Sequence, residues 1–293
     1  MCAGADVRVF AATCASLRFG ISKQYWAVRL AKIVECQMKN HHLRRISGNE
    51  GTFEENNSLL ARLSVIDLEL MAPHLQKISL LKGQVLFEPG EDVEHCYFPA
   101  KGCMLSLVIH PPEGKSIEVA NIGFEGALGG IVSAGYKPAF TRAVVQIAGD
   151  GRRISLDRLD ALKGRSPAIR DLFTRYADAL LAQVLQSVAC NALHSLEERC
   201  CRWLLMARES MGASDVAVTH ELLAEMLGVQ RTYVTAIVRG LQSRGIIKLQ
   251  RGLIRIEEPA GLRGLACGCY DDVQRHFSCV LPPIGDLRGG LSP

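Results

Sequence analysis

The sequence predicts an α+β fold in which a β-jelly-roll domain, one long helix and a small domain of helices with a β-hairpin follow one another. Three observations predict this order. Short apolar runs separated by glycine or proline occupy residues 77–155, an apolar stripe at helical spacing continues from Ile169 to Cys190, and residues 218–257 hold two short amphipathic helices and two strands. A chain of 293 residues is long enough for two domains of ordinary size.

Composition limits the class of protein. The chain is 48% hydrophobic and 22% charged, as soluble globular proteins are, and it has no apolar run of about 18 residues that would predict a membrane helix. The net charge is only +4, so attraction to a polyanion requires local clustering of basic residues. The 11 irregularly spaced cysteines and the lack of a secretory signal predict free thiols in the cytoplasm, with no membrane partner.

The predicted boundaries are 58–165 for the jelly-roll domain, 166–194 for the long helix, 195–270 for the C-terminal domain and 271–293 for a C-terminal tail. Residues 1–57 are predicted to be a basic, loosely held extension, because Met1 to Arg45 carries eight lysines and arginines against two acidic residues. A nucleic-acid-binding arm and a translation start at Met38 are the alternatives.

The barrel strands are predicted from runs such as QVLFEPG, CYFPAKG and MLSLVIHPPEG, which alternate with turn residues. The glycine-rich segment GFEGALGG at 123–130 interrupts this pattern and predicts a loop or short helix that faces a pocket. The barrel is either a ligand sensor or a purely structural barrel, and no local feature separates the two.

The long helix has a clear start. Ser166 is suited to cap it, and Pro167 fits its first turn. The apolar stripe on this helix is predicted to form the seam of a homodimer, and the alternative is a helix packed against its own barrel. The predicted seam residues are Ile169, Phe173, Tyr176, Leu180 and Val184.

The C-terminal domain carries the most specific pattern. Ser195 to Glu198 forms a capping box, Thr219 is suited to cap the next helix, and Gly228 separates that helix from a second one that starts at Gln230. Two strands follow, joined by a glycine-containing turn. From Gly228 to Ile256 there are six basic residues and no acidic one, so this helix-turn-helix with its wing is predicted to bind duplex DNA. The buried stripe of its second helix is predicted at Val234, Ile237, Val238 and Leu241.

With this order of elements, and with the segments HSLEERCCRWLL and THELLAEMLGVQRTYVTAIVRGLQSRGIIKLQRGLIRI, residues 58–270 resemble a CRP/FNR-type transcription regulator. The resemblance implies a cyclic-nucleotide-binding-like barrel, a homodimer, a pseudo-palindromic DNA site and RNA polymerase as a candidate partner. It implies that Arg231 reads guanine and that Gln230, Thr232, Tyr233, Thr235 and Ala236 lie in or near the major groove. It places Thr219, His220, Thr235, Arg239 and Arg251 on phosphates.

The resemblance fails at the effector site. Members that bind cyclic nucleotides carry a glutamate for the ribose and an arginine for the phosphate, whereas here Ala127 replaces the glutamate and Arg142 follows the arginine position. A cyclic phosphate would lose its charge-assisted hydrogen bonds, so cyclic AMP is not the expected effector. The corresponding pocket would comprise Gly126, Ala127, Leu128, Gly129, Thr141 and Arg142.

No cofactor, metal or catalytic site is predicted. The histidines near the barrel are isolated, and no nucleophile or phosphate-binding motif is present. Cys267 and Cys269, with His276 and Cys279 downstream, lack a standard zinc spacing and are expected to pack on the wing domain, with a redox or metal role as the alternative. The competing class of function is a regulatory sensor subunit whose C-terminal domain binds protein rather than DNA.

Overall fold

The computed structural model describes residues 57–111, 116–131 and 136–284. The predicted basic extension lies outside the described residues except for Asn57, and so does the end of the predicted tail. Asn57 is fully buried, and its side-chain amide donates hydrogen bonds to the carbonyls of Pro99 at 2.9 Å and Gly126 at 3.0 Å. The described part of the chain therefore begins as an integral piece of the barrel.

One short helix, α1, precedes the barrel. It spans Val65–Met71 and is flanked by two 3-10 turns at Leu60–Arg62 and Ala72–His74. Ser64 caps α1 by accepting a hydrogen bond from the backbone N–H of Asp67 at 3.1 Å.

The barrel consists of two antiparallel sheets. Strands β1, β7 and β3 form the first sheet in that order, and β2, β6, β4 and β5 form the second. Their buried side chains face one another across one apolar core, and this arrangement confirms the predicted α+β class. The strands are β1 (Gln76–Leu80), β2 (Val85–Phe87), β3 (His95–Pro99), β4 (Met104–Ile109), β5 (Ile117–Ile122), β6 (Arg142–Ile147) and β7 (Gly149–Ser155).

Helices α2 (Leu156–Arg165) and α3 (Pro167–Leu193) follow the barrel. Ser166 caps α3 as predicted, because its hydroxyl accepts the backbone N–H of Ile169 at 3.1 Å. Among the described helices, none is both long and apolar enough to cross a membrane.

The predicted dimer stripe on α3 is placed differently by the structure. Ile169, Phe173 and Tyr176 are buried in the core of their own barrel, and Leu180 and Val184 are half-buried. The prediction was wrong for the three buried side chains, because α3 has two apolar faces and helical period alone does not say which one the barrel covers. The face left exposed carries Leu181, Leu185 and Val188.

The C-terminal domain contains five helices and a small antiparallel sheet with strand order β8, β10, β9. The capping box at its start is present, since Ser195 and Glu198 satisfy each other's backbone N–H groups. Its elements are α4 (Leu196–Met211), β8 (Asp215–Val216), α5 (His220–Met226), α6 (Arg231–Ser243), β9 (Ile247–Gln250), β10 (Leu253–Ile256), α7 (Pro259–Leu265) and α8 (Cys269–Val280).

The last helix corrects the prediction of a C-terminal tail after residue 270. Helix α8 packs along α3, and the ring of Phe277 meets the ring of Tyr176 edge to face at 6.4 Å. Leu281, just beyond α8, is 3% exposed and belongs to the barrel core. The chain therefore returns from the C-terminal domain to the barrel, a long-range contact that local sequence pattern does not reveal.

Candidate nucleic-acid interface

Helices α5 and α6 form the predicted helix-turn-helix. The Thr219 hydroxyl caps α5 by accepting the backbone N–H of Leu222 at 3.2 Å. Gly228, with φ of 69°, makes the turn in a conformation that favours glycine. His220 Nδ1 lies 3.1 Å from Thr235 Oγ1, so a hydrogen bond ties the start of α5 to the middle of α6.

Helix α6 is buried on one face and exposed on the other. Val234, Val238 and Leu241 are fully buried and Ile237 is partly buried, as its apolar period predicts. The predicted base-contacting face is exposed except at Thr235, which is half-buried. The exposed positions are Gln230, Arg231, Thr232, Tyr233, Ala236 and Arg239.

The N-terminus of α6 carries no side-chain cap. Gln230 occupies the capping position, and its side chain makes no capping hydrogen bond. In the first turn the backbone N–H of Tyr233 donates to the carbonyl of Gln230 at 3.1 Å, and the positive end of the helix dipole favours an anionic ligand such as a phosphate.

Three of the six basic residues predicted to face DNA are paired with carboxylates from outside 228–256. Arg255 Nε and Nη2 donate to the two oxygens of Asp215 at 2.6 and 2.8 Å, and this pairing lowers the pKa of Asp215. Arg244 pairs with Glu197, and Arg231 pairs with Glu221. The count of charges within residues 228–256 could not include these carboxylates, because they lie elsewhere in the chain.

Three basic residues keep their positive charge unpaired within the described ranges. Arg239 on α6, Lys248 on β9 and Arg251 at the hairpin tip are all exposed, and no carboxylate of a described residue pairs with them. Arg251 and Gly252 form the two-residue loop between β9 and β10, and Gly252 has φ of 73°. The hairpin thus projects a cation beside the recognition helix in the way that a wing does.

Comparison with known proteins shows which domain family has this geometry. Residues 198–265 match the family model of the Crp-like helix-turn-helix domain. The global nitrogen regulator of Nostoc sp. (strain PCC 7120) is 22% identical over 191 residues, which are 62% of this chain and 85% of that protein. The chain contains a Crp-like helix-turn-helix domain.

Solved structures agree with this fold. FixK2 from Bradyrhizobium japonicum superposes with a TM-score of 0.57 at 16% identity, over 66% of this chain and 98% of its own. A CRP-family transcriptional regulator from Thermus thermophilus gives a TM-score of 0.54 at 18% identity, over 65% of this chain and 96% of its own.

The barrel holds a cavity of about 600 Å³ beside α3. Its described lining is mostly apolar, and the hydroxyls of Tyr136 and Thr141 are its polar side-chain groups. Leu180 of α3 forms part of the wall, so the cavity touches the long helix directly.

The predicted effector residues divide into two groups. Ala127, Leu128, Gly129 and Thr141 line the cavity. Gly126 and Arg142 are not among its described lining residues. A side chain on Gly126 would overlap the hydroxyl of Tyr176, and the Arg142 guanidinium instead forms an ion pair with Glu88 at 3.2 Å.

A buried carboxylate joins the barrel to the C-terminal domain. The sequence analysis did not predict it. Glu118 on β5 accepts a hydrogen bond from Trp203 Nε1 of α4 at 2.9 Å and another from the Ser106 hydroxyl. Burial raises the pKa of Glu118 to about 7, although these hydrogen bonds and Arg202 act in the opposite direction. The signal in the sequence is an acidic residue inside the otherwise apolar strand SIEVANIG.

Proposed function

We propose that this protein is a cytoplasmic, homodimeric transcription regulator that binds a pseudo-palindromic duplex DNA site. The observation that carries the proposal is the exposed face of α6 from Arg231 to Ala236 beside the cationic tip of the wing. The Crp-like domain match supports it. Catalysis forms no part of the proposal.

Base readout is assigned to the first two turns of α6. Arg231 has the five-donor guanidinium that pairs with O6 and N7 of guanine in the major groove. Thr232, Tyr233 and Ala236 are exposed around it and offer a hydroxyl, a phenol and a methyl group to neighbouring base edges.

Phosphate contacts are assigned to the cations without a carboxylate partner. Arg239 and Arg251 flank the reading face, and Thr219 and His220 lie at the start of α5. Such contacts fix the register of the protein on DNA without reading sequence.

Dimerisation is assigned to the exposed face of α3, which would pack against the same face of α3 in a second copy of the chain. Leu181, Leu185 and Val188 lie at i, i+4 and i+7 and are 55%, 61% and 64% exposed. Apolar residues at this spacing suit a helical seam, and a twofold axis along it would give two recognition helices for two half-sites about one helical turn apart.

The effector is assigned to the barrel cavity and is an uncharged, largely apolar small molecule. The cavity volume of about 600 Å³ lies in the ordinary range for ligand sites, and its described wall offers a cyclic phosphate no cation. Because Leu180 belongs both to the wall and to α3, a ligand there would press on the dimer helix. RNA polymerase is the partner that such a regulator would recruit or exclude.

The test is selection of bound duplexes from a random library, followed by titration of the best site at several salt concentrations. We expect the logarithm of the affinity to fall linearly with the logarithm of salt, because bound phosphates release counterions. Arg158→Ala, which removes an exposed arginine of α2, is the matched control and should leave the affinity unchanged. Failure to enrich any sequence, or affinity without salt dependence, would favour a sensor subunit that binds protein.

A further inference from the structure

Four metal-ligating side chains converge at the junction between α3 and the C-terminal domain. They are Cys190 in the last turn of α3, His194 just after it, Cys267 between α7 and α8, and Cys269 at the start of α8. One ligand atom from each lies within 4.8 Å of the other three. The three thiols are buried and form a cluster of their own, and His194 closes it from the half-exposed side.

The separations within this cluster match a single tetrahedral metal ion. With bonds of about 2.3 Å to sulfur and about 2.0 Å to nitrogen, a tetrahedron places two sulfurs about 3.8 Å apart and a sulfur and a nitrogen about 3.5 Å apart. Cys190 Sγ lies 3.5 Å from Cys267 Sγ, and Cys269 Sγ lies 3.4 Å from His194 Nδ1. Both distances fall close to the tetrahedral values.

We propose that Cys190, His194, Cys267 and Cys269 bind one zinc ion. Three thiolates and one imidazole form a closed ligand set of the kind that holds structural zinc. A multi-iron cluster fits less well, because its four ligands are divided between two or four irons and ligand atoms on different irons stand further apart. A disulfide between Cys190 and Cys267 would need their sulfurs at about 2.05 Å and would leave Cys269 and His194 without a role.

Polar groups around the cluster suit a negatively charged metal site. Gln186 Nε2 donates a hydrogen bond to Cys269 Sγ at 2.9 Å, which orients that ligand. Arg199 Nη2 donates a hydrogen bond to the carbonyl of Leu227 at 2.8 Å, and charge on Cys190 and Cys267 would favour its guanidinium form. Three thiolates around Zn²⁺ carry one net negative charge, which the Arg199 guanidinium offsets.

The cysteine pair predicted to pack on the wing domain thus lies against the end of α3. Cys190 and His194 lie four residues apart, but they precede Cys267 by 73 or more residues. The sequence therefore did not show that they belong to the same cluster. The two other residues grouped with the pair do not join it. His276 pairs with Asp178 at 3.1 Å, and Cys279 is exposed.

The position of the site suggests what the metal does. Helix α3 ends at Leu193 and α4 begins at Leu196. Cys190 and His194 therefore lie at the junction of these two helices, whereas Cys267 and Cys269 follow α7. Zinc would fasten this joint to the far side of the C-terminal domain. Its effect on DNA affinity rests on the proposed function, whereas zinc binding itself does not.

The first test is the metal content of the reduced, full-length protein after growth with zinc. We expect about one zinc ion per chain in the wild type and in Cys279→Ser, and at least about tenfold less in Cys267→Ser and Cys269→Ser. Circular dichroism checks that each variant is folded. A wild-type protein that is folded but carries no zinc, or that has a Cys190–Cys267 disulfide by mass spectrometry, overturns the proposal.

The second test does not depend on a variant that must fold without its metal. Cobalt(II) added to metal-depleted wild-type protein should give the visible d–d bands of a tetrahedral site and sulfur-to-metal charge transfer in the near ultraviolet. His194→Cys should keep one metal ion with a changed cobalt spectrum, because a Cys₄ site also binds zinc, and His194→Ala should weaken binding. Octahedral cobalt spectra in all three proteins would overturn the assignment, even where DNA binding is intact.

Discussion

The guanidinium Nη1 of Arg231 lies 2.9 Å from the carboxylate Oε1 of Glu221, across the two helices of the helix-turn-helix. Both side chains are more than half exposed, so the pair contributes only about 0–1 kcal/mol. A bidentate contact to guanine is worth about 1–3 kcal/mol of discrimination. If Arg231 reads guanine as proposed, the correct base should displace Glu221, whereas a wrong base should leave Arg231 with its partner.

Glu221→Gln should raise DNA affinity by up to about fivefold, because it removes the competitor for Arg231 and about 1 kcal/mol of pairing. Fluorescence anisotropy with a labelled duplex measures the change. Glu225→Gln removes an exposed charge from the same helix and serves as the control. An equal gain in both variants would attribute the effect to general repulsion of phosphates and not to the ion pair.

Arg231→Ala should reduce discrimination at one base pair of the site by about 1–3 kcal/mol. The measurement is a competition series in which each base pair of the site is replaced in turn. Arg158→Ala should leave the series unchanged. A loss of the same size on every sequence would show that Arg231 contacts phosphate only.

Arg251→Ala should weaken binding to all sequences alike and reduce the slope of log affinity against log salt by about one. Salt titrations on a specific and a scrambled duplex test this. Arg251→Lys keeps the charge at the wing tip and should retain most of the affinity. Loss of preference for one base would instead assign Arg251 to base readout.

Leu185→Glu should convert the dimer into a monomer, because it places a charge in the middle of the exposed face of α3. Sedimentation velocity gives the mass. Ile66→Glu introduces the same charge at a position 72% exposed on α1 and should leave the dimer intact. A dimer that survives Leu185→Glu would place the twofold contact elsewhere.

Glu118→Gln should make stability less dependent on pH. The folded-state pKa of about 7 lies above the ordinary value of 4.5, so the stabilising contribution is complete below about pH 4.5 and is lost as the pH rises through about 7. The wild type should therefore lose up to about 3 kcal/mol between pH 4.5 and pH 8 that the glutamine variant keeps. Urea unfolding at the two pH values measures this, with the exposed Glu69→Gln as control. Parallel pH profiles for wild type and Glu118→Gln would contradict it.

Local signals in the sequence predicted the elements well. Capping at Ser166, Ser195 and Thr219 and the turn at Gly228 each depend on residues within a few positions, and all are present in the structure. What local pattern could not supply is the partner across the chain. The carboxylates that pair with Arg231, Arg244 and Arg255 lie 10 to 47 residues away in sequence. Local pattern also does not say which of the two apolar faces of α3 packs against the barrel.

Helix α8 changes what kind of motion the two domains can make. The barrel and the C-terminal domain are joined by the α3–α4 connection, by the Glu118–Trp203 hydrogen bond, and again through Phe277 and Leu281, which pack with the barrel core. Several separate links leave fewer rotational degrees of freedom than a single flexible connection would. For the same reason, a fragment that stops at residue 194 would lose the side chain of Leu281 from its core, and a fragment that begins at 195 would carry apolar residues with nothing to cover them. The two halves are separate in sequence, but they are not independent units of folding.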